Sequence, residues 1–373
     1  MIPFTRILSY GNEVKAPTIL GERVQVNYSA AWYLHRNGDL YAIGQNNLGQ
    51  LGTGDTTNRT SWTKVLTGVK RYFGGVHGTL AIDEDNIMWY TGSTYGMPIA
   101  QNTRTFVNVT KYFSDFGVSP DDIKSVYIAE GIRVLLNNGK WFFYGSNSAG
   151  CFGTGSTASV TKFTYSSIEN VQYMSCGFNT TCLILSDGSC YYAGTMMLSG
   201  TTPTSVPTFT KTLDDVLYTA NTFYTTYYFM KDGSIRTASI NTQGQGSVGN
   251  TNPVLNSVQI RTQFDPSVPL RVIGSLTNSA GMSPMIWINN QIWRCGFNIY
   301  GQCGNGAASS AQATLTPMIF GTVSNIVSFG GDNLFSMVID NNDDMFVCGN
   351  TPINGISFYN RLTRLADEKM PWK

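Results

Sequence analysis

The chain has 373 residues, a formal net charge of +1 and only 13% charged residues. Such weak charge argues against nucleic-acid binders and against proteins that bind anionic membrane surfaces, because both usually show a strongly basic surface. The only histidines are His35 and His77, which leaves almost no material for a catalytic triad or a histidine metal site. We therefore expect a non-enzymatic protein with no cofactor, no metal, no nucleic-acid partner and no membrane insertion.

Seven pairs of residues, six positions apart, mark short strands along the chain. Each pair begins with a turn residue, encloses an apolar stretch and ends with a small residue. The pairs are Gly38/Gly44, Asn86/Gly92, Gly139/Gly145, Gly188/Gly194, Gly233/Ser239, Asn290/Gly296 and Asp343/Gly349. Their spacing of roughly 50 residues is the length of one four-stranded sheet with its loops, so the pattern predicts a repeat protein.

A second apolar strand precedes each turn, as residues 181–185 do before Asp187-Gly188. In four repeats the turn is Asn-Gly or Asp-Gly, which predicts a hairpin because both central residues of that turn need positive φ. Apolar residues on adjacent positions indicate strands that are covered on both faces. The structural repeat glycines are expected to end the second strand of each hairpin where the blades crowd: Gly44, Gly92, Gly145, Gly194, Gly296 and Gly349.

A glycine-rich pattern follows three of the hairpins. Residues 44–54 read G-Q-N-N-L-G-Q-L-G-T-G, close copies stand at 145–155 and 296–306, and a worn copy keeps Asn241, Gly244 and Gln245. The phrase "turn, strand, G-x-N-x-x-G-Q-x-G-x-G" resembles the repeat of the regulator of chromosome condensation family. The resemblance covers roughly residues 20 to 365 and implies a seven-bladed β-propeller. The copies around residues 92, 194, 239 and 349 depart from the pattern.

We accordingly expect an all-β fold in one domain over 1–365, with blades centred on the hairpins at 38, 86, 139, 188, 233, 290 and 343. Segments 16–20 and 358–365 both resemble a segment that is expected to begin each blade, such as residues 60–66. The terminal segments are therefore expected to pair and close the ring. The C-terminal tail, 366–373, is expected to lie outside the ring. It is either a frayed end or a docking peptide with Trp372 as a possible partner anchor.

Other residue patterns have simpler structural explanations. Seven cysteines without a Cys-x-x-Cys pair predict a reducing compartment and disfavour zinc, with a Cys176–Cys182 disulfide as the alternative. The acidic segments 83–86 and 340–344 could hold calcium, but Asp and Asn are also favoured at hairpin turns for backbone reasons. Residues 244–249 match G-x-G-x-x-G but precede no helix, so they are interpreted as a propeller loop.

The family resemblance implies a protein-binding ring, since its members act as exchange factors for a small GTPase, as chromatin-bound hubs or as protein inhibitors of β-lactamases. The low charge and the Gly/Thr/Asn/Ser-rich composition are instead typical of structural proteins of tailed bacteriophages. We expect a structural or adhesive component of the tail, neck or baseplate of a virion, made in the host cytoplasm. Its partners would be other virion proteins or a host surface molecule. The alternative is a cytoplasmic protein-binding regulator that resembles the exchange factors or the inhibitors.

Overall fold

The computed structural model is a ring of seven four-stranded antiparallel sheets. It describes residues 9–10, 14–15, 23–196, 204–268, 270–274, 282, 284–288, 290–320, 325–356 and 358–373. The all-β, seven-bladed propeller expected from the repeat is therefore confirmed.

Each blade takes four consecutive strands from the chain, after a short hairpin of β1 (Ser9–Tyr10) and β2 (Val14–Lys15). Blade 1 consists of β3 (Val24–Asn27), β4 (Ala30–Leu34), β5 (Leu40–Gly44) and β6 (Arg59–Leu66), and blade 2 of β7 (Val69–Gly74), β8 (Gly78–Asp83), β9 (Met88–Gly92) and β10 (Thr103–Asn108). Blade 3 consists of β11 (Ile123–Ile128), β12 (Gly131–Leu136), β13 (Trp141–Gly145) and β14 (Val160–Tyr165), and blade 4 of β15 (Val171–Gly177), β16 (Thr180–Leu185), β17 (Cys190–Met196) and β18 (Thr204–Leu213). Blade 5 consists of β19 (Val216–Asn221), β20 (Thr225–Met230), β21 (Ser234–Ser239) and β22 (Val254–Gln263), and blade 6 of β23 (Arg271–Ile273), β24 (Met285–Ile288), β25 (Gln291–Asn298) and β26 (Ser309–Pro317). Blade 7 consists of β27 (Ile326–Gly331), β28 (Phe335–Asp340), β29 (Met345–Gly349) and β30 (Tyr359–Arg364).

The second and third strands of a blade form the hairpins that the repeat predicts. Leu34 pairs with Leu40 around the turn at Gly38, and Ile82 pairs with Met88 around the turn at Asn86. The two turn residues have φ of 88° and 63°. Every residue of β4 and β5 is buried, because each hairpin is covered on both faces by neighbouring blades.

Helical structure in the described residues is limited to α1 (Thr110–Ser114) and two 3-10 turns, Pro120–Asp122 and Asp367–Lys369. Helix α1 lies in the connection between blades 2 and 3. Its Phe113 is fully buried and lies 5.3 Å from the ring of Phe163, between the ring centroids. The helix therefore fills space between two blades that the strands alone would leave open. No helix in the described ranges is long and apolar enough to cross a membrane.

The expected pairing of the terminal segments is not among the strand pairs of the described residues. Segment 358–365 does contain a fourth strand, β30, but it pairs with β29 of its own blade, and the first blade has its own fourth strand in β6. Segment 16–20 lies outside the described residues. Because each fourth strand follows its third strand directly in the chain, none of these seven sheets lacks a strand for a distant terminus to supply.

The ring closes instead through contacts between the first strands of blades 7 and 1. The backbone amide of Val24 donates to Ser328 Oγ at 3.0 Å, and the amide of Ser29 donates to the buried carboxylate of Asp332 at 2.7 Å. We call this contact between blades 7 and 1 the closing junction.

The C-terminal tail belongs to no blade sheet but packs on the closing junction, so it is not a frayed end. Met370 is 1% exposed within the core between the two blades. Trp372 contacts three aromatic rings of blade 1, at centroid distances of 4.4, 5.3 and 5.4 Å: Tyr33, Tyr41 and Trp62. Its indole N–H donates to the carbonyl of Asp343 at 3.0 Å. Burial of these apolar side chains attaches the C-terminal tail to blade 1.

A carboxylate secures the same junction. Asp343 lies in the hairpin turn of blade 7 with its side chain 8% exposed. It contacts four side chains of blade 1 at 2.5 to 3.5 Å: Arg23, Tyr33, His35 and Arg36. Burial opposes ionisation of this carboxyl, but hydrogen bonds from Arg23, Tyr33 and Arg36 outweigh it and hold the pKa of Asp343 below its ordinary value.

Candidate interaction surface

The glycine-rich signature loops connect the third and fourth strands, and a buried asparagine shapes each of them. In blade 1, Asn46 Oδ1 accepts the backbone amide of Leu51 at 3.0 Å, while Nδ2 donates to the carbonyls of Asp55 and Thr57 at 2.9 and 3.2 Å. Equivalent loop-closing bonds are made by Asn147, Asn241 and Asn298. The asparagine of the motif therefore satisfies loop backbone groups and is not available to a ligand.

The glycines of the same loops bind the next blade. The amide of Gly54 donates to the carbonyl of Arg104 in β10 at 2.8 Å. The same bond, at 2.7 to 2.9 Å, joins Gly155 to Pro207, Gly249 to Ala313 and Gly306 to Asn360. A Cβ atom on Gly49 would lie 2.5 Å from the carbonyl oxygen of Thr103, so only glycine allows this approach. Each of these loops thus holds two blades together and covers part of the free edge of an outer strand.

The structural repeat glycines all lie at the end of a third strand, or within β17 and β25, with φ of 88° to 122°: Gly44, Gly92, Gly145, Gly194, Gly296 and Gly349. A Cβ atom on Gly44 would lie 2.1 Å from the carbonyl oxygen of Ser29, and one on Gly194 would lie 2.0 Å from that of Asn179. These carbonyls belong to the turns between first and second strands. The glycines therefore let that turn approach the third strand, which is a structural role.

The ring has two faces of different character. We call the face with the turns between first and second strands, together with the signature loops, the loop face. The opposite face, with the turns between second and third strands, is the hairpin face. Its acidic side chains cap turn backbones, as Asp83 does for the amide of Asp85 at 3.0 Å and Asp340 for that of Asn342 at 2.8 Å. This is the backbone role considered for the acidic turns, and calcium binding there stays untested.

Aromatic side chains meet over the axis of the ring on the loop face. The ring centroids of His77 and Tyr95 are 5.5 Å apart, those of His77 and Phe178 6.1 Å, those of Phe178 and Phe223 5.9 Å, and those of Phe223 and Tyr224 3.9 Å. Tyr28 packs against the hydrophobic cluster that contains Phe178, as Phe223 also does. We call these six residues the aromatic cap. They come from blades 1, 2, 4 and 5, so the cap joins loops of blades that are not neighbours in the ring.

The aromatic cap is largely uncharged. Burial lowers the pKa of His77, against the opposing effects of Glu130 and of a hydrogen bond to the Ala129 carbonyl, so the imidazole is neutral at pH 7. Glu130 lies beside the cap and accepts a hydrogen bond from Ser148 Oγ at 2.8 Å. Tyr95 is 53% exposed, which makes it the most accessible ring of the cap. The cap can therefore bury aromatic surface against a partner at little electrostatic cost.

The residues singled out for chemistry do not come together. His35 lies on the hairpin face beside Asp343, with Nε2 3.5 Å from the carboxylate, whereas His77 lies on the loop face. All seven cysteines are free and buried, so Cys176 and Cys182 form no disulfide. Within the described part of the chain, no three His, Cys, Asp or Glu residues are grouped so as to hold a metal ion.

Sequence reasoning did not identify the aromatic cap, although a signal for it exists. An aromatic residue or histidine stands one or two positions before the second strand in four repeats: Tyr28, His77, Phe178 and Phe223. Because that position begins a turn at the axis, aromatic residues there converge once the ring forms. Trp372, by contrast, already packs within the chain, and its role as a partner anchor stays a prediction.

No protein-family model matches the chain, and no curated protein matches it either. Solved structures do match over most of its length. Prp20p from Saccharomyces cerevisiae, described with its binding to Gsp1p and histones, is 13% identical, with 90% of this chain and 87% of that chain covered and a TM-score of 0.69. Yeast RCC1 (Prp20), in its complex with Kap60, is 12% identical, with 98% of this chain and 90% of that chain covered and a TM-score of 0.70. Human WBSCR16 is 14% identical, with 89% of this chain and 94% of that chain covered and a TM-score of 0.65. These similarities support the expected fold of regulator of chromosome condensation type.

Proposed function

We propose that this protein is a non-enzymatic, protein-binding ring whose contact surface is the aromatic cap. The observation that carries the proposal is the cluster itself, in which Tyr95, 53% exposed, continues into rings packed over the axis. Aromatic residues are enriched and charged residues depleted at the centre of protein interfaces. Rigid blades around the cap also reduce the entropy lost when a partner binds.

The similar structures support a protein partner in general terms. Their descriptions name Gsp1p, histones and Kap60 as proteins that yeast Prp20 binds. A cytoplasmic regulator, similar to an exchange factor or to an enzyme inhibitor, is the form of the proposal that this fold favours. It predicts a soluble ring that retains one partner through the loop face.

The virion form of the proposal has a different support, namely the low charge and the Gly/Thr/Asn/Ser-rich composition. It predicts that the ring is a tail, neck or baseplate component and that the cap faces another virion protein. Mass spectrometry of purified particles distinguishes the two forms. Peptides of this chain at a fixed ratio to tail proteins support the virion form, and their absence from particles excludes it.

Substitution of the cap tests the proposed surface. Tyr95→Ala combined with Tyr224→Ala should reduce retention of the bound partner by at least tenfold in a quantitative pull-down, as expected for loss of two central aromatic residues. The melting temperature should stay within a few degrees, because neither ring is deeply buried. Tyr112→Ala is the matched control, since Tyr112 is 39% exposed on α1, away from the loop face. Equal retention by the double variant and the control would exclude the cap as the contact surface.

A further inference from the structure

A groove opens at the rim of the ring between blades 6 and 7. It has a volume of about 330 Å³ and is lined mainly by the signature loop of blade 6 and by β30 of blade 7. Phe358 is 61% exposed and Ile299 is 53% exposed, and the ring of Phe358 lies 5.2 Å from that of Tyr300, between centroids. Arg361 lines the same groove. We call it the rim groove, and it is separate from the aromatic cap.

The same backbone arrangement occurs at three other junctions, which makes the side chains directly comparable. The second glycine position of the loop packs against the next outer strand at each of them: Gly49 on Arg104, Gly150 on Pro207, Gly244 on Ala313 and Gly301 on Asn360. Counting from these contacts places Ile299 and Tyr300 in register with Asn47-Leu48, Ser148-Ala149 and Thr242-Gln243. Phe358 is in register with Asn102, Ser205 and Ala311, and Arg361 with Thr105, Thr208 and Thr314.

The four groove positions therefore depart together from what the chain uses elsewhere. The other junctions form the same loop-to-strand hydrogen bond with mostly small or polar residues at these positions, so folding does not require a large apolar or charged side chain there. Adjacent exposed apolar side chains cost solvation without aiding the fold. Their presence at one junction only indicates a binding role.

We propose that the rim groove binds an extended peptide segment of a partner that carries a bulky apolar side chain next to an acidic residue. The bulky apolar side chain of the peptide would pack on Phe358, Ile299 and Tyr300. Arg361 is exposed and forms no ion pair with any described residue, and no acidic side chain lines the groove. Its positive charge is therefore available to the acidic residue of the peptide.

The occupant is recognised by its side chains and not by strand addition. The outer edge of β30 is already bonded to blade 6, because the carbonyl of Asn360 accepts the amide of Gly306 at 2.7 Å and the amide of Leu362 donates to the carbonyl of Ile319 at 3.3 Å. A peptide could not pair with this edge without breaking those bonds. Its affinity would depend on one buried apolar anchor and one charged contact.

The test uses residues that the chain itself places at an equivalent junction. Ile299→Ser, Tyr300→Ala, Phe358→Ser and Arg361→Thr are combined in the full chain, which reproduces the side chains of the junction between blades 3 and 4. A display library of random dodecapeptides is selected on the native protein, and the selected peptides are titrated against both proteins by fluorescence anisotropy. The selected peptides should share an aromatic or branched aliphatic residue beside Asp or Glu. Their affinity should fall about tenfold or more in the combined variant.

Single substitutions separate the two contacts. Arg361→Thr should weaken binding several-fold at low salt and make the remaining affinity nearly independent of salt, whereas Phe358→Ser should weaken it at every salt concentration. Melting temperatures close to native show that the variants fold. The proposal is overturned if the selected peptides bind the combined variant as well as the native protein or share no acidic residue. It is equally overturned if the native protein self-associates and the combined variant does not, because a second copy would then occupy the groove.

Discussion

Four junctions between neighbouring blades are bridged by a signature loop. The closing junction is held mainly by the C-terminal tail and by Asp343, which have no counterpart at those four junctions. The bridged junctions join blades 1 and 2, 3 and 4, 5 and 6, and 6 and 7 through one repeated bond from a loop glycine to an outer strand. The closing junction keeps a related bond, from the amide of Asn354 to the carbonyl of Thr60 at 2.8 Å, but adds the tail and Asp343.

The difference follows from chain connectivity. At a bridged junction the bonded residues are 50 to 64 positions apart in the chain, as Gly54 and Arg104 are 50 apart, so the contact closes a much shorter loop. At the closing junction, Arg23 meets Asp343 across 320 positions of sequence, and bringing such distant segments together costs more conformational entropy. Additional burial by Met370 and Trp372 offsets that cost.

The largest expected effect is loss of the tail. Deletion of residues 366–373 removes the buried Met370 and the Trp372 contacts with blade 1, and should lower the free energy of unfolding by about 3 to 5 kcal/mol or more. Chemical denaturation measures it. Phe358→Ala is the control, because a 61% exposed side chain should change stability by no more than about 0.5 kcal/mol. A truncated ring that is as stable as the full chain would show that the closing junction needs no tail.

Substitution of the buried asparagine at a bridged junction should destabilise the protein nearly as much as loss of the tail. Asn46→Ala leaves the amide of Leu51 and two loop carbonyls without their partner, which should cost about 2 to 4 kcal/mol. Asn47→Ala changes the exposed neighbour in the same loop and should have little effect on thermal unfolding. Similar melting temperatures for the two variants would contradict the role assigned to Asn46.

Two glycines of one loop separate steric approach from backbone strain. Gly244 and Gly249 have φ of 76° and 83°, but a Cβ atom on Gly244 would lie 2.5 Å from Ala313 Cα, whereas one on Gly249 would meet nothing within 4 Å. Gly249→Ala should cost about 1 kcal/mol from positive φ alone, and Gly244→Ala about 1 to 3 kcal/mol more. Equal losses in urea denaturation would mean that blade approach does not limit this position.

The closing junction should also depend on pH through Asp343. Its pKa in the folded protein is below the ordinary value, so its contribution is present above about pH 4 and is lost as pH falls through the folded pKa. Asp343→Asn keeps the size and suits the φ of 62°, and should cost about 1 to 2 kcal/mol at pH 7. Unfolding followed from pH 7 to 3 should show this difference shrinking. A constant difference would assign the loss to packing and not to charge.

Much of the fold follows from local signals in the sequence. Hairpin turns such as Asn138-Gly139 and the buried strands beside them involve residues a few positions apart, so their register was predictable. The signature loop was recognisable for the same reason, although its purpose was not. Nothing in G-x-N-x-x-G-Q-x-G-x-G says that Gly54 binds Arg104 of the next blade, since that bond forms only when two blades meet.

The sequence by itself determined the number of blades, the order of strands and the positions that must be glycine, because turn geometry and strand periodicity act within one repeat. Only the tertiary structure decided that Trp372 packs on Tyr33, that His77 meets Phe178, and that Phe358 faces Tyr300 across a groove. These contacts join different blades, and their free energy depends on which surfaces the closed ring brings together. Within a single repeat, a side chain at such a position shows no pattern that distinguishes core, cap or groove; the aromatic residues before the second strands stand out only when the repeats are compared.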